Sequence, residues 1–171
     1  MILLFFKTLP EREMRSGFAE LIKHGLISDG GLFDLLRENF SKQAALSGEA
    51  LPEFLAKGIK VKADIVAQDE TEQGVRAFLN FGHTFGHALE AFGGFKRFLH
   101  GEAIIFGMIY ALILSEREMG LKFDLASFSA WLSDLGYETT LPDDVTFEEI
   151  YSRMLHDKKN DFRRSKIRSS Q

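Results

Sequence analysis

Three of the five histidines of this chain, His83, His87 and His100, fall in one stretch, NFGHTFGHALEAFGGFKRFLHGEA. Clustered imidazoles serve metal or phosphate chemistry. Residues three, four and seven apart share a helical face, so a helix beginning near Asn80 would line Asn80, His83 and His87 along one polar stripe. A zinc-protease reading fails, because that motif places a glutamate directly after the first histidine as general base, and Thr84 stands there. His100 follows Phe98 and Leu99 at a helix start and is flanked by Gly101, which permits close backbone approach. Upstream, Glu20 and Lys23 share a helical face within GFAELIKHG, where apolar neighbours make an unpaired glutamate costly. The plainer account of these two is an i, i+3 surface ion pair. Two histidines and a carboxylate with an open fourth position would instead be a catalytic zinc arrangement. Lys62, Arg76 and the Lys158–Lys159 pair are ordinary solvated cations taken singly. Converging on the histidines, they would suit a small substrate that carries phosphate and carboxylate groups. His24 and His156 acquire no role from sequence.

The elements that must position these residues read almost throughout with helical period. Phe18, Leu21, Ile22 and Ile27 follow Ser16 as a start signal, and Leu32, Phe33, Leu35, Leu36 and Phe40 follow Asp29 and two glycines. From Ala50 to about Gln68, Phe54, Leu55, Ile59, Ala63 and Val66 recur at three and four, although IKVKADIV alternates locally like a strand; length favours a helix. DETEQG interrupts the pattern, FGHTFGHALEAF resumes it, and Gly93–Gly94 breaks it again. AIIFGMIYALIL reads as a buried core helix, too short to span a bilayer. Phe123 to Leu135 and Phe147 to Leu155 supply two more helices. With no βαβ alternation, no repeat and no G-x-G-x-x-G after a strand, the expected class is all-α, without a dinucleotide-binding domain of its own.

Composition narrows the partners. A chain of 171 residues, 45% hydrophobic and 27% charged, fits one soluble globular domain. The absence of cysteine excludes disulfides, thiolate metal sites and a cysteine nucleophile, in keeping with a cytoplasmic location. MILLFF lacks the basic flank and cleavage site of a signal peptide, so no membrane association is expected. The net charge of −4 gives no broad attraction to nucleic acid, and the run Arg163, Arg164, Lys166, Arg168 reads as a solvated tail.

Four segments, TLPEREMRSGFAELIKHGLI, KADIVAQDETEQGVRAFLNFGHTFGHALEAF, FLHGEAIIFGM and HDKKND, resemble in that order the C-terminal domain of the 3-dehydroquinate synthase family of sugar-phosphate cyclases. The resemblance runs from about Lys7 to Asp161. It divides the chain into residues 1–6, an interdomain remnant, residues 7–161, the helical domain, and residues 162–171, an atypical basic tail. The resemblance implies conversion of 3-deoxy-arabino-heptulosonate 7-phosphate to 3-dehydroquinate and phosphate in the shikimate pathway of aromatic amino acid biosynthesis, with NAD and a divalent metal, Zn2+ or Co2+. By the same resemblance, Glu20, His83 and His100 are the metal ligands. His87, Asn80 and the DKK lysine Lys158 face the substrate phosphate, while Lys23, Lys62, Glu72 and Arg76 occupy further active-site positions.

The family also has an N-terminal α/β domain that carries the NAD site, and this chain begins almost where the second domain should. The resemblance therefore implies a truncated, frame-shifted or split gene product that lacks cyclase activity unless a separate N-terminal half is supplied, and a homodimer in the complete enzyme. Two other readings stay open: half of a related cyclase that makes a cyclitol from another sugar phosphate, and a non-catalytic remnant or interaction module.

Overall fold

The computed structural model describes residues 8–28, 31–42, 46 and 49–156 of the chain. These residues are helical, with no strand among them. Helix α1 spans Glu11–Ile27, α2 Leu32–Asn39, α3 Leu51–Gln68, α4 His83–Phe92, α5 His100–Met119 and α6 Leu125–Asp134. A 3-10 segment, Val75–Asn80, precedes α4, and residues 147–156 form α7. The expected all-α class is what the chain adopts, and IKVKADIV lies inside α3. No described helix is long and apolar enough to cross a membrane.

Helix α5 lies between two hydrophobic clusters and contributes to both. Ile104, Ile105, Met108 and Leu112 pack with Phe18, Leu21 and Ile22 of α1, Leu36 of α2, Phe54 of α3, and Phe128 and Leu132 of α6. Ala103 and Phe106 face the other way, toward Phe85 and Leu89 of α4 and Ile150 of α7. A helix buried on two sides needs apolar residues around most of its circumference, which is why AIIFGMIYALIL reads as a run rather than a stripe. Beyond the first cluster, α3 outruns the core. Leu51, Phe54 and Gly58 are buried, but Ile59 is 68% exposed, so the apolar spacing of its second half does not mark a covered face.

The start of α1 differs from the expectation. The helix begins at Glu11 behind Pro10, with Glu11 and Glu13 in its first turn, and Ser16 lies well inside it. Acidic residues favour the positive end of a helix, and proline is easily tolerated at its entrance. Ser16 has a different partner: its Oγ accepts the backbone N–H of Gly101 at 3.0 Å. There α5 sits directly on α1, and a β-carbon built on Gly101 would overlap the Ser16 carbonyl.

The residues before α5 are tied down as firmly. Arg12 grips both oxygens of Glu102, from Nε at 2.6 Å and Nη2 at 2.7 Å, and Nη2 also donates to the Arg97 carbonyl at 2.8 Å. Glu102 in turn accepts the backbone N–H of Leu99 at 2.9 Å. Burial would push the Glu102 carboxyl up, but Arg12, the Leu99 N–H and the charge of Arg15 hold it below its ordinary value. These bonds fix the N-terminus of α5, where His100 is the first helical residue.

Gly101→Ala should therefore lower unfolding stability by about 2–3 kcal/mol in urea titration, as expected for overpacking against immovable backbone. Gly17→Ala, whose new methyl would meet nothing within 4 Å, should leave stability unchanged or raise it by up to about 1 kcal/mol.

Candidate metal centre

Glu20 projects from the middle of α1, His83 opens α4 and His100 opens α5. Their ligand atoms all lie within 4.8 Å of one another. Glu20 Oε1 stands 3.9 Å from His83 Nε2 and 3.7 Å from His100 Nε2. Donor atoms around a tetrahedral zinc at about 2.1 Å lie roughly 3.4 Å apart, so the carboxylate oxygen is within a few tenths of an ångström of the spacing to each imidazole that a shared ion requires.

The remaining polar atoms of these residues are occupied in ways that leave those three free. Glu20 Oε2 accepts from Lys23 Nζ at 2.6 Å, whereas Oε1 is buried with no hydrogen-bond partner among the described residues. An unsatisfied buried carboxylate oxygen is costly, and a cation would remove that cost. His83 Nδ1 lies 3.3 Å from the Phe81 carbonyl and His100 Nδ1 lies 3.2 Å from Glu90 Oε2. Both contacts favour the tautomer with its proton on Nδ1 and its lone pair on Nε2. The donor set of two imidazoles and a carboxylate, around one orphaned oxygen, fits a divalent ion.

Electrostatics point the same way. Burial favours protonation of Glu20, but its bond to Lys23 and the nearby charges of Lys23, His83 and His24 outweigh it and keep the carboxyl below the usual range. For His83, burial and the Lys23 cation push the imidazole down, only partly offset by the Phe81 carbonyl and Glu20. The result is an ionised carboxylate and a neutral imidazole, the forms that bind metal. Lys23 is 3% exposed, so the Glu20–Lys23 pair is not the surface ion pair that spacing alone allows. Burial lowers the Lys23 ammonium, Glu20 opposes that, and Lys62 lowers it further.

Of the other sequence-derived residues, His87 and Lys62 lie near this trio. His87 is exposed one turn into α4, its ring 5.3 Å from that of His83 and 6.0 Å from that of His100. Lys62 is exposed on α3, close enough for its charge to be felt at Lys23 and His24. Asn80 is not on the helix of the histidines, as the stripe reading requires. It ends the 3-10 segment, and Gly82, with φ of +80°, turns the chain before α4 begins at His83. The left-handed turn suits glycine, and a β-carbon there would also meet Met108 Cγ at 2.9 Å. Asn80 Nδ2 instead donates to Glu72 Oε1 at 2.7 Å, and Glu72 itself adopts a φ of +58°. Arg76 donates through Nη1 to the Glu70 carbonyl at 2.7 Å. Lys158, with residues 157–171, lies outside the described residues.

Sequence reasoning missed two organisers and one buried histidine. Asp69 accepts backbone N–H groups from Gln73, Gly74 and Arg76 and so folds the DETEQG loop that carries Glu72 and Arg76. An aspartate opening a polar, glycine-containing stretch was an available signal for such a turn. Glu90 lies three residues after His87 and seven after His83, the very spacing applied to the histidines. His24, directly behind Lys23, is 8% exposed, and its Nε2 has no hydrogen-bond partner among the described residues.

Burial first, then the Lys23 and Lys62 charges, push the His24 imidazole down to about 4 from 6.5, with Glu20 opposing. A group lowered on folding binds its proton more readily in the unfolded chain, so stability is full above 6.5 and is lost as pH falls toward about 4. In metal-free protein, wild type should lose roughly 2–3 kcal/mol more than His24→Gln over that window, read by urea unfolding at successive pH values.

Comparison with known proteins gives the family and the fold. The family model described as 3-dehydroquinate synthase C-terminal matches residues 17–160. A 3-dehydroquinate synthase of Listeria monocytogenes serotype 4a (strain HCC23) is 61% identical over 158 residues, 92% of this chain and 43% of that protein. The enzyme of the same name from Geobacillus thermodenitrificans (strain NG80-2) is 48% identical over 155 residues, covering 91% of this chain and 42% of that protein. The chain thus spans less than half the length of these relatives. Among solved structures, 2-epi-5-epi-valiolone synthase from Streptomyces hygroscopicus, with NAD+ and Zn2+ bound, superposes with a TM-score of 0.79 at 24% identity, covering 92% of this chain and 44% of that one. A 2-deoxy-scyllo-inosose synthase complexed with carbaglucose-6-phosphate, NAD+ and Co2+ gives 0.73 at 26% identity, over 87% of this chain and 41% of that one. The chain belongs to the 3-dehydroquinate synthase C-terminal family.

Proposed function

We propose that this chain is the metal-binding half of a 3-dehydroquinate synthase, which acts on 3-deoxy-arabino-heptulosonate 7-phosphate when joined by an N-terminal half that carries NAD. The observation that carries the reading is the orphaned Glu20 Oε1, faced by two imidazole Nε2 atoms at 3.7 and 3.9 Å. Bound there, a Zn2+ or Co2+ ion would supply Lewis-acid polarisation of substrate oxygens, and NAD on the other half would supply hydride transfer. Support for the substrate comes from the 61% identity to an enzyme of that name, against 26% to the inosose synthase.

The roles proposed for this chain's own residues come from the resemblance, and the positions of those described are compatible with them. Lys23 holds Glu20 Oε2, which leaves Oε1 alone to ligate. His87 is exposed beside the trio and is assigned to the substrate phosphate with Asn80 and Lys158. Glu72 fixes the Asn80 amide. Lys23, Lys62 and Arg76 supply positive charge for the carboxylate and hydroxyl groups of the substrate. Cations that meet an anionic substrate position it and stabilise charge as phosphate departs. The complete enzyme would work as a homodimer.

The purified chain should bind about one equivalent of zinc, with binding abolished in His83→Ala and in His100→Ala and largely kept in His87→Ala, as measured by calorimetry. Equal loss in all three would refute the division of roles. For the activity, phosphate release from the heptulosonate phosphate should be absent with the chain alone plus NAD and zinc, and should appear on co-expression with the N-terminal part of the Listeria relative. Turnover by the isolated chain would show that no second half is needed; turnover only of another sugar phosphate by the pair would favour a cyclitol-forming cyclase.

A further inference from the structure

His100 belongs to two possible metal-binding trios at once. Through Nε2 it faces Glu20 and His83; it also groups with His87 and Glu90, whose ligand atoms lie within 4.8 Å of one another and of its own. An imidazole on the first residue of a helix could turn toward either set. The two outcomes differ chemically, because the second trio would draw His87, the imidazole proposed for substrate, into the metal site and leave His83 out of it.

Glu90 stands where it can decide between them. It projects from the last turns of α4, its side chain 15% exposed, and Oε2 lies 3.2 Å from His100 Nδ1. A carboxylate in that position accepts the Nδ1–H bond, which confines the lone pair to Nε2 and fixes the ring plane. The ring's only remaining donor atom then points at Glu20 Oε1, 3.7 Å away. His83 is set by a comparable but neutral device, the Phe81 carbonyl at 3.3 Å. The two ligands are therefore oriented independently, one by backbone and one by a side chain that can be changed.

We infer that Glu90 is the positioning residue that commits His100 to the trio with Glu20 and His83, and so keeps His87 out of the metal site. This rests on the metal centre proposed above. Cobalt reports both sides of the claim, since its visible spectrum follows ligand geometry and its titration gives affinity and stoichiometry.

The full chain, freed of metal, is titrated with Co2+ as wild type, E90A, E90Q, H87A and H83A, with circular dichroism confirming folding. Loss of the orienting bond should weaken Co2+ binding about 10–100-fold in E90A and alter its visible spectrum. E90Q, which keeps an acceptor oxygen, should recover most of the affinity and the wild-type spectrum, and H87A should match wild type in both. Where E90A folds poorly, Glu90→Met keeps the volume without the acceptor and takes its place. Unchanged affinity and spectrum in E90A would overturn the inference, as would an E90Q defect equal to that of E90A, which would make charge and not the hydrogen bond responsible. A second equivalent of Co2+, lost in both E90A and H87A, would make Glu90 a ligand and overturn it too. H83A separates the levels: wild-type binding in H83A would remove the metal centre itself, whereas loss in H83A with none in E90A would remove only the role of Glu90.

Discussion

The first turn of α5 resting on the middle of α1 is the constraint on which the site depends. Glu20 is fixed along α1 and His100 along α5, so the distance between them is set by how closely the two helices approach. That approach is held by Gly101 against the Ser16 carbonyl, by the Ser16 hydroxyl on the Gly101 N–H, and by Arg12 gripping Glu102. None of these residues touches the ligand atoms. A shift of an ångström there would nonetheless separate the carboxylate from the imidazole, since a metal tolerates only a few tenths of an ångström in its bond lengths.

A division of labour follows among the elements. The three candidate ligands sit on helices embedded in the two hydrophobic clusters, where packing holds them still. The residues assigned to substrate sit at edges: Lys62 on the part of α3 beyond the core, Arg76 and Asn80 in the turn and 3-10 segment, His87 on the open face of α4. Rigid positions suit a metal, whose geometry is fixed, and edge positions suit a substrate that must enter and leave. The exposed Ile59, Val75 and Phe78 lie on the same edge elements, α3 and the 3-10 segment.

The helical class was legible because apolar spacing repeats over whole elements, and α3 shows length prevailing over a short strand-like alternation. The pairing of Glu20 with His83 and His100 was legible only through long motif blocks, since ligands some sixty and eighty residues apart leave no periodic trace. What stayed hidden was tertiary. Ser16 looks like a cap because serine often is one, yet proline and acidic residues upstream start the helix earlier and free its hydroxyl for α5. Asn80 seems to share the histidine stripe until the left-handed Gly82 resets the helical phase. The burial of Lys23 and the partnership of Glu90 with His100 depend on which faces meet, and spacing within one helix does not encode that.

The left-handed glycine before α4 has a consequence for the sign of the site. As the N-cap, Gly82 offers no side-chain acceptor to the first turn of α4, so the positive end of that helix dipole, worth roughly half a unit charge, is left without a side-chain cap beside His83. A bare cation is repelled by such an end and an anion is drawn to it. Glu20 thus supplies the one full negative charge among the three candidate ligands, beside the positive charge of Lys23 and the start of α4. A divalent ion and an anionic group would then reinforce each other there, each offsetting the charge that would disfavour the other.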